Sequence, residues 1–285
     1  MKALITGANG QLGRALADRV PASIELIPLT SAQLDISNQS AVDAAFSNYA
    51  PSIVINAAAY TKVDAAEDMS ELADRVNHIG VAYLAQAAQR SGARMVQIST
   101  DFVFDGMASR PYRTDAPTAP LNVYGATKLA GETAAGEDAL IIRTSWLYSA
   151  YGNNFVATML RLMRERTSLG VVADQVGTPT SAHSLADAIW KLAASDIVGV
   201  LHYSDSGVAS WYDFAVAIME EAVAIGLLEQ AIEIVPIISS AYPTPAKRPH
   251  FSVLDKSDTT EALGHAAAHW RANLRDVLEA IKSNG

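Results

Sequence analysis

The sequence contains no cysteine. Disulfides, zinc–thiolate sites and thiol nucleophiles are therefore excluded. A cysteine-free chain suits a reducing compartment, and the cytoplasm is the expected location. Positive charge is also in short supply: 21 Lys and Arg stand against 30 Asp and Glu, a formal net charge of −9. Neutralising a nucleic-acid backbone needs clustered cations, so no nucleic-acid partner is expected. A small anionic ligand needs only a local patch and stays open. No apolar run approaches the ~18 residues of a membrane span. The first such run, in MKALITGANG, ends at Ile5, too short for the core of a signal peptide. No membrane partner is expected. Low-complexity segments and internal repeats are lacking as well.

What is present is the balance of an ordinary globular protein, with 50% hydrophobic and 18% charged residues in a chain of 285. That length suits one large domain or two modest ones. The first half alternates β-like runs (3–6, 25–29, 52–59, 95–100, 139–146) with helical patterns (11–19, 40–49, 70–90 and around Tyr124). The β runs are apolar without alternation, as in parallel strands covered on both faces. Such strand–helix alternation predicts an α/β fold with a doubly wound parallel sheet. After residue 146 the pattern changes: helices over 155–166, 183–194, 210–225 and 269–282, β-like runs at 198–204 and 232–237, and a loop holding Pro243, Pro245 and Pro249. The expected division is a dinucleotide-binding domain over 1–146 and a smaller lobe over 147–285, with 198–204 returning to the sheet.

The stretch ITGANGQLGRAL sets Gly7, Gly10 and Gly13 directly after the first β run. In a strand–turn–helix context the first glycine permits the tight turn, the second lets backbone approach a pyrophosphate, and the third packs helix on strand. The helix N-terminus adds free N–H groups and a positive dipole. Gly7, Gly10, Gln11, Leu12 and Gly13 are therefore candidate cofactor residues. A plain glycine turn is the bland alternative. The second β run is followed by Thr30 and Ser31, where a carboxylate that binds the ribose of NAD would stand. Nothing there repels a 2′-phosphate, and Arg14 is close in sequence, so NADPH is favoured with NADH also usable. Thr30, Asp35 and Ile36 are assigned to the adenosine end. In NAAAYT, Ala58, Ala59, Tyr60 and Thr61 offer small residues and backbone to a flat cofactor.

VYGATK places Tyr124 and Lys128 four residues apart, on one face of a helix. A free tyrosine titrates near 10. A neighbouring ammonium favours the phenolate, which would bring the phenol toward the pH range where general acid catalysis works best. Either residue alone is unremarkable, as a core aromatic or a solvated charge. Thr100, ending the run MVQIST, could hydrogen-bond the same reacting oxygen.

GQLG, NAAAYTKVDAAE, STDFVFDG, YGATKLAGE, RTSWLY, GNNF, DQVGTPT, SWYDFA and KRPHFSVLD, spread from Gly7 to about Asp255, resemble the extended short-chain dehydrogenase/reductase superfamily. Within it they are most similar to the family of dTDP-4-dehydrorhamnose reductases. The resemblance implies reduction of a 4-keto nucleotide sugar, dTDP-4-dehydro-6-deoxy-L-mannose. Tyr124, Lys128 and Thr100 would be its catalytic residues, with Tyr124 and Lys128 also touching the cofactor. Val63, Thr100, Asp101, Trp146 and Arg248 would bind substrate. Asp101 could otherwise be a turn cap, Trp146 and Val63 core, and Arg248 a surface charge. Related epimerases and dehydratases share the Tyr/Lys pair, but a dehydratase would carry a Glu after the Asp, where this chain has Phe102. A non-catalytic NADP-binding subunit, as in methionine adenosyltransferase, is the alternative from another class. Some relatives resemble magnesium-bridged dimers. This chain has Arg14 and Ala15 after the third glycine and Ala182, His183 and Ser184 in the second region. No metal is expected, and the assembly is expected to be a monomer or a metal-independent homodimer.

Overall fold

The computed structural model describes residues 1–284. The chain begins β1 (Lys2–Thr6), α1 (Gln11–Asp18), β2 (Glu25–Leu29), α2 (Gln39–Tyr49), β3 (Ile53–Asn56) and α3 (Val63–Asp68). One continuous helical run follows, made of α4 (Ser70–Asp74), a π-helical turn (Arg75–Ile79) and α5 (Gly80–Ser91). Then come β4 (Arg94–Thr100), a 3-10 turn (Asp101–Val103), α6 (Val123–Ala135) and β5 (Leu140–Thr144). The second half holds β6 (Leu147–Tyr148), α7 (Phe155–Glu165), β7 (Ser168–Val172), β8 (Val176–Gly177), β9 (Thr180–Ser181) and α8 (Ala182–Ala193). It continues through β10 (Gly199–His202), β11 (Ala209–Ser210), α9 (Trp211–Ala224), β12 (Glu233–Ile237), α10 (Ser257–Leu263) and α11 (Trp270–Asn284).

Six parallel strands form the central sheet in the order β2-β1-β3-β4-β5-β10. The apolar strands are covered on both faces. α1 and α8 lie on one side, sharing a core with Ile5, Ile55, Ile142, Leu185 and Ile189. α2 and α5 lie on the other, with Leu4, Val54, Phe46 and Leu84. This is a doubly wound α/β sheet. α8 and β10 come from the second half of the chain yet belong to this layered body. A separate core gathers α7, α9 and α11 around Leu160, Phe214, Trp270 and Leu274 beside the parallel pair β7–β12.

The order of strands reverses between β1 and β3, so the carboxyl ends of the sheet open there, where ligands of such folds sit. The helices differ at their starts. Asn38, Asn122, Asn154 and Ser210 each cap a helix by accepting a backbone N–H, which satisfies one of the orphan donors of a first turn. α1 begins at Gly10 with no side-chain cap, leaving its first-turn amides free toward the strand ends.

The helix expected over 70–90 is interrupted by the π turn. A Cβ on Gly131 of α6 would lie 2.1 Å from the carbonyl oxygen of Asn77, so α6 presses against this turn. The extra residue of a π turn re-aims a side chain, here Asn77. The short helices α3 and α10 have too few residues for a periodic pattern to announce them.

Candidate active site

One cavity of about 710 Å³ opens at the carboxyl ends of β1, β3, β4 and β5. A second of similar volume lies between α8 and the α10–α11 connection, away from these strand ends. The first is lined by Gly7, Gly10, Gln11 and Leu12 from the glycine loop and by Asp35 and Ile36 beyond β2. Ala58, Ala59, Tyr60, Thr61 and Val63 follow β3, and Thr100 and Asp101 end β4. Tyr124, Lys128, Trp146 and Arg248 line it as well.

The glycine loop is built by contact rather than by flexibility alone. Gly7 has φ +65, and a Cβ there would meet the backbone of Ala58 at 2.8 Å. The Ala58 amide is fixed in turn by Thr6 Oγ1 (3.3 Å) and Asn56 Oδ1 (3.2 Å). Asn56 also donates to Gln97 at 2.8 Å, a buried polar row across three strands, paired as buried polar groups must be. Gly13 stands apart from the other loop candidates: it is buried and does not line the cavity, serving the helix–strand packing.

Thr30, expected at the adenosine end, is turned toward a neighbour in the chain. Its amide and hydroxyl both engage Gln33 Oε1, at 3.0 and 2.9 Å, and it does not reach the cavity, whereas Ser31 does.

Tyr124 and Lys128 sit on α6 with Thr100 opposite at the end of β4. Burial pushes the Tyr124 phenol up to about 12, opposed by the Thr100 hydroxyl and reinforced by the charge of Asp101. The causes that act on the phenol are burial, Thr100 and Asp101, and not Lys128. Desolvation dominates, and the Lys128 ammonium turns to the carbonyl oxygen of Ile98 at 2.6 Å. Burial also pulls Lys128 down to about 8, with Glu132 pulling it back. Phe102 meets the Tyr124 ring edge-on, centroids 5.6 Å apart, where a dehydratase would need a carboxylate.

Asp101 is buried, and desolvation raises its carboxyl to about 6. Thr100 donates to its Oδ1 at 3.1 Å, while Oδ2 has no hydrogen-bond partner. Trp146 has φ +47, a conformation a non-glycine residue rarely keeps. Its ring stacks on Trp211, centroids 3.5 Å apart and 5° from parallel, and a Cβ on Gly177 would lie 2.7 Å from it. The stack and the missing side chain at 177 hold the indole in the cavity wall. Arg248 is forked onto Asp64, Nη1 to Oδ1 at 3.1 Å and Nη2 to Oδ2 at 2.7 Å, which lowers the Asp64 carboxyl. Its Nη1 also donates to the Ala246 carbonyl at 3.1 Å.

Several residues escaped the sequence reading. Asn77 accepts from Tyr60 N (2.8 Å) and donates to Tyr60 O and Thr127, both at 3.1 Å, tying the β3 loop to α6. Trp211 reaches the wall from the start of α9, and Asn153 and Asn154 from before α7. The capping box Ser210–Asp213 marked that helix start, but no local signal paired Trp211 with Trp146.

The family model described as RmlD substrate binding domain matches residues 1–283. A dTDP-4-dehydrorhamnose reductase of Aggregatibacter actinomycetemcomitans is 42% identical, covering 96% of this chain and 97% of its own length. The chain belongs to the dTDP-4-dehydrorhamnose reductase family. Solved members of that family have the same architecture. A Clostridium acetobutylicum reductase matches at TM-score 0.93 and 41% identity, over 99% of this chain and all of its own. A Bacillus anthracis reductase, solved in complex with NADP, matches at 0.92 and 38%, over 98% and 99% of the two chains. The family membership agrees with the aromatic ring of Phe102, rather than a carboxylate, beside Tyr124.

Proposed function

We propose that this chain is an NADPH-dependent oxidoreductase that reduces the 4-keto group of dTDP-4-dehydro-6-deoxy-L-mannose to dTDP-L-rhamnose, a precursor for cell-surface polysaccharide. What carries this is the meeting of Thr100, Tyr124 and Lys128 with an uncapped glycine-loop helix in one cavity. The relatives reported above bear this reductase's name, and one was solved with NADP.

The residues present fit a dinucleotide. The first-turn amides of α1 suit a diphosphate, and side chains at Gly7 or Gly10 would crowd the loop. Gln11 and Leu12 lie beside them, with Ser31, Asp35 and Ile36 at the adenosine end and Ala58, Ala59, Tyr60 and Thr61 along the middle. When bound, NADPH supplies the hydride for the ketone carbon.

Tyr124 gives its proton to the carbonyl oxygen as charge develops there. A phenol pushed up to about 12 is protonated at working pH, which is the form a reduction requires. Thr100 steadies the same oxygen. Its single hydroxyl proton, which it donates to Asp101 Oδ1, must turn to do so. Lys128 holds the nicotinamide ribose and lends positive charge. Val63, Asp101 and Trp146 contact the sugar, and Arg248 meets the diphosphate with the N–H groups that Asp64 leaves free, since a guanidinium suits phosphate oxygens. We assign residues 1–146 to the cofactor and 147–285 mainly to the substrate, with β10 returned to the sheet. The cytoplasm is the proposed location, and a monomer or metal-independent homodimer the proposed assembly.

The deciding experiment incubates the protein with dTDP-4-dehydro-6-deoxy-L-mannose and follows loss of absorbance from NADPH and, separately, NADH. Substrate-dependent oxidation with product dTDP-L-rhamnose is expected. No turnover with either cofactor, alongside tight NADP binding, would favour the non-catalytic reading.

A further inference from the structure

Below Lys128, one helical turn further along the same face of α6, Glu132 is only 6% exposed. Its carboxylate takes a two-pronged contact from Arg143 of β5, Nε to Oε1 at 2.9 Å and Nη2 to Oε2 at 2.7 Å. Ser99, the residue between Ile98 and Thr100 on β4, also donates to Oε1. Arg143 is as deeply buried, its guanidinium 5.2 Å over the Phe104 ring. Its Nη1 reaches His202 Nε2 at 3.3 Å and the Thr114 carbonyl at 3.4 Å. His202 Nδ1 in turn lies 3.0 Å from the carbonyl oxygen of Tyr112. That bond puts the proton on Nδ1 and leaves Nε2 to accept from Arg143. Burial and Arg143 together push His202 down to about 4, so it is neutral and adds no charge at working pH.

A buried ion pair could serve only to join α6 to β5, and such a pair is weak evidence of anything more. Two observations point further. Lys128 is 4% exposed, and its ammonium bonds to a neutral acceptor, the Ile98 carbonyl, not to a carboxylate. Glu132 is the charge that opposes its desolvation. The other charged groups on the elements packed against α6 are engaged elsewhere or exposed: Arg94 of β4 donates to the Ile197 carbonyl, and Asp68 and Glu71 are exposed. Asp64 holds Arg248, Glu67 accepts the Val123 amide, His78 pairs with Asp74, and Arg90 pairs with Asp43. Arg75 is exposed. Asp101 acts on Tyr124.

We propose that Glu132, held in place by Arg143 and Ser99, is a positioning residue that keeps the buried Lys128 side chain charged. Ser99 and Lys128 anchor the same strand end from two directions, so the carboxylate also fixes where the ammonium points. The inference rests on Lys128 working as an ammonium in the site, but its central claim concerns charge alone and can be read without turnover.

The test labels lysine with ¹³C at Cε and follows the Lys128 resonance with pH, assigned by its loss in Lys128→Met. The wild-type midpoint is expected at about 8. Glu132→Gln leaves Arg143 uncompensated and should lower the midpoint by about one pH unit or more. Arg143→Gln removes a positive charge and should raise it. The double variant Glu132→Gln/Arg143→Gln should return toward wild type, because the two charges cancel. The basic limb of the kcat profile should move with these midpoints. A merely structural pair would lower turnover in every variant and leave the midpoints in place. An unmoved midpoint in Glu132→Gln overturns the proposal, as does a double variant lower than the single. If Glu132→Gln does not fold, the double variant against Arg143→Gln gives the same comparison in one background, and an equal midpoint overturns the proposal. Full turnover by Lys128→Met would remove the catalytic reading of the site while leaving this titration to decide the role of Glu132.

Discussion

The carbonyl oxygen of Gly7 lies 2.3 Å from where a Cβ on Gly13 would sit, and the backbone of Ala8 lies 2.6 Å from it. The third glycine of the loop is thus required by the first. Both obstructing groups are backbone, which cannot swing aside as a side chain can. Gly13→Ala should therefore destabilise the fold by roughly 2 kcal/mol, in the range of overpacked cores, despite alanine's better helix propensity. Urea unfolding measures this. A midpoint equal to or above wild type would show that the loop can open to admit a methyl group.

Tyr124→Phe should keep the fold and the affinity for NADPH but lose turnover by about 10²–10⁴-fold, the usual contribution of a general acid. The ring and its edge contact with Phe102 survive the change, so only the proton is removed. Cofactor titration by fluorescence and steady-state kinetics separate the two effects. Near wild-type kcat would take the proton transfer away from Tyr124.

Cofactor choice should respond at Ser31 rather than at Thr30. Ser31→Asp puts a carboxylate on the cavity wall, where it repels a 2′-phosphate and can accept from ribose hydroxyls. A shift toward NADH of about tenfold or more is expected, equal to ~1.4 kcal/mol. Thr30→Asp should shift it less, since that side chain turns to Gln33. Equal effects at both positions in competition binding would contradict this assignment.

His202 should mark the acid side of the stability curve. Its folded value of about 4 lies below the ordinary imidazole value of 6.5. As pH falls through this window the unfolded chain takes up the proton first, so stability present above 6.5 is lost toward 4. The full effect is on the order of 3 kcal/mol. Asp101, raised from 3.8 to about 6, acts in the opposite sense: it gains a proton first in the folded state as pH falls. A comparison of wild type with His202→Gln isolates the histidine. Between pH 7 and 4.5 the variant should lose less Tm than wild type; an equal loss would mean that His202 is not held neutral.

Assembly should not depend on a divalent cation. Arg14 lies 5.5 Å over the Tyr151 ring, and His183 binds Asp18 directly at 3.0 Å. A guanidinium at this position opposes Mg²⁺, which prefers oxygen ligands and carboxylates. Sedimentation at one concentration should give the same species in excess EDTA and in Mg²⁺. Dissociation by EDTA with recovery in Mg²⁺ would point to carboxylates on another face.

The amino-acid sequence by itself determined the elements whose physics is local. Apolar runs without alternation marked the strands of a sheet covered on both faces. Glycines three apart between strand and helix marked the loop that lines the cavity, and a four-residue spacing put Tyr124 and Lys128 on one helical face. Each of these depends on neighbours within a few residues. The tertiary structure decided what depends on residues far apart. Thr30 and Ser31 look equivalent in sequence until a turn takes one of them inward. Desolvation raises the Tyr124 phenol, and burial comes from the whole fold, not from spacing. Trp146 and Trp211 stand 65 positions apart, and Asp64 and Arg248 lie 184 apart. Asn77, on a π turn packed against α6, ties the β3 loop to that helix through Tyr60 and Thr127. Local patterning placed chemical groups at the right strand ends, but their charge, orientation and partners follow from which surfaces the folded chain removes from water.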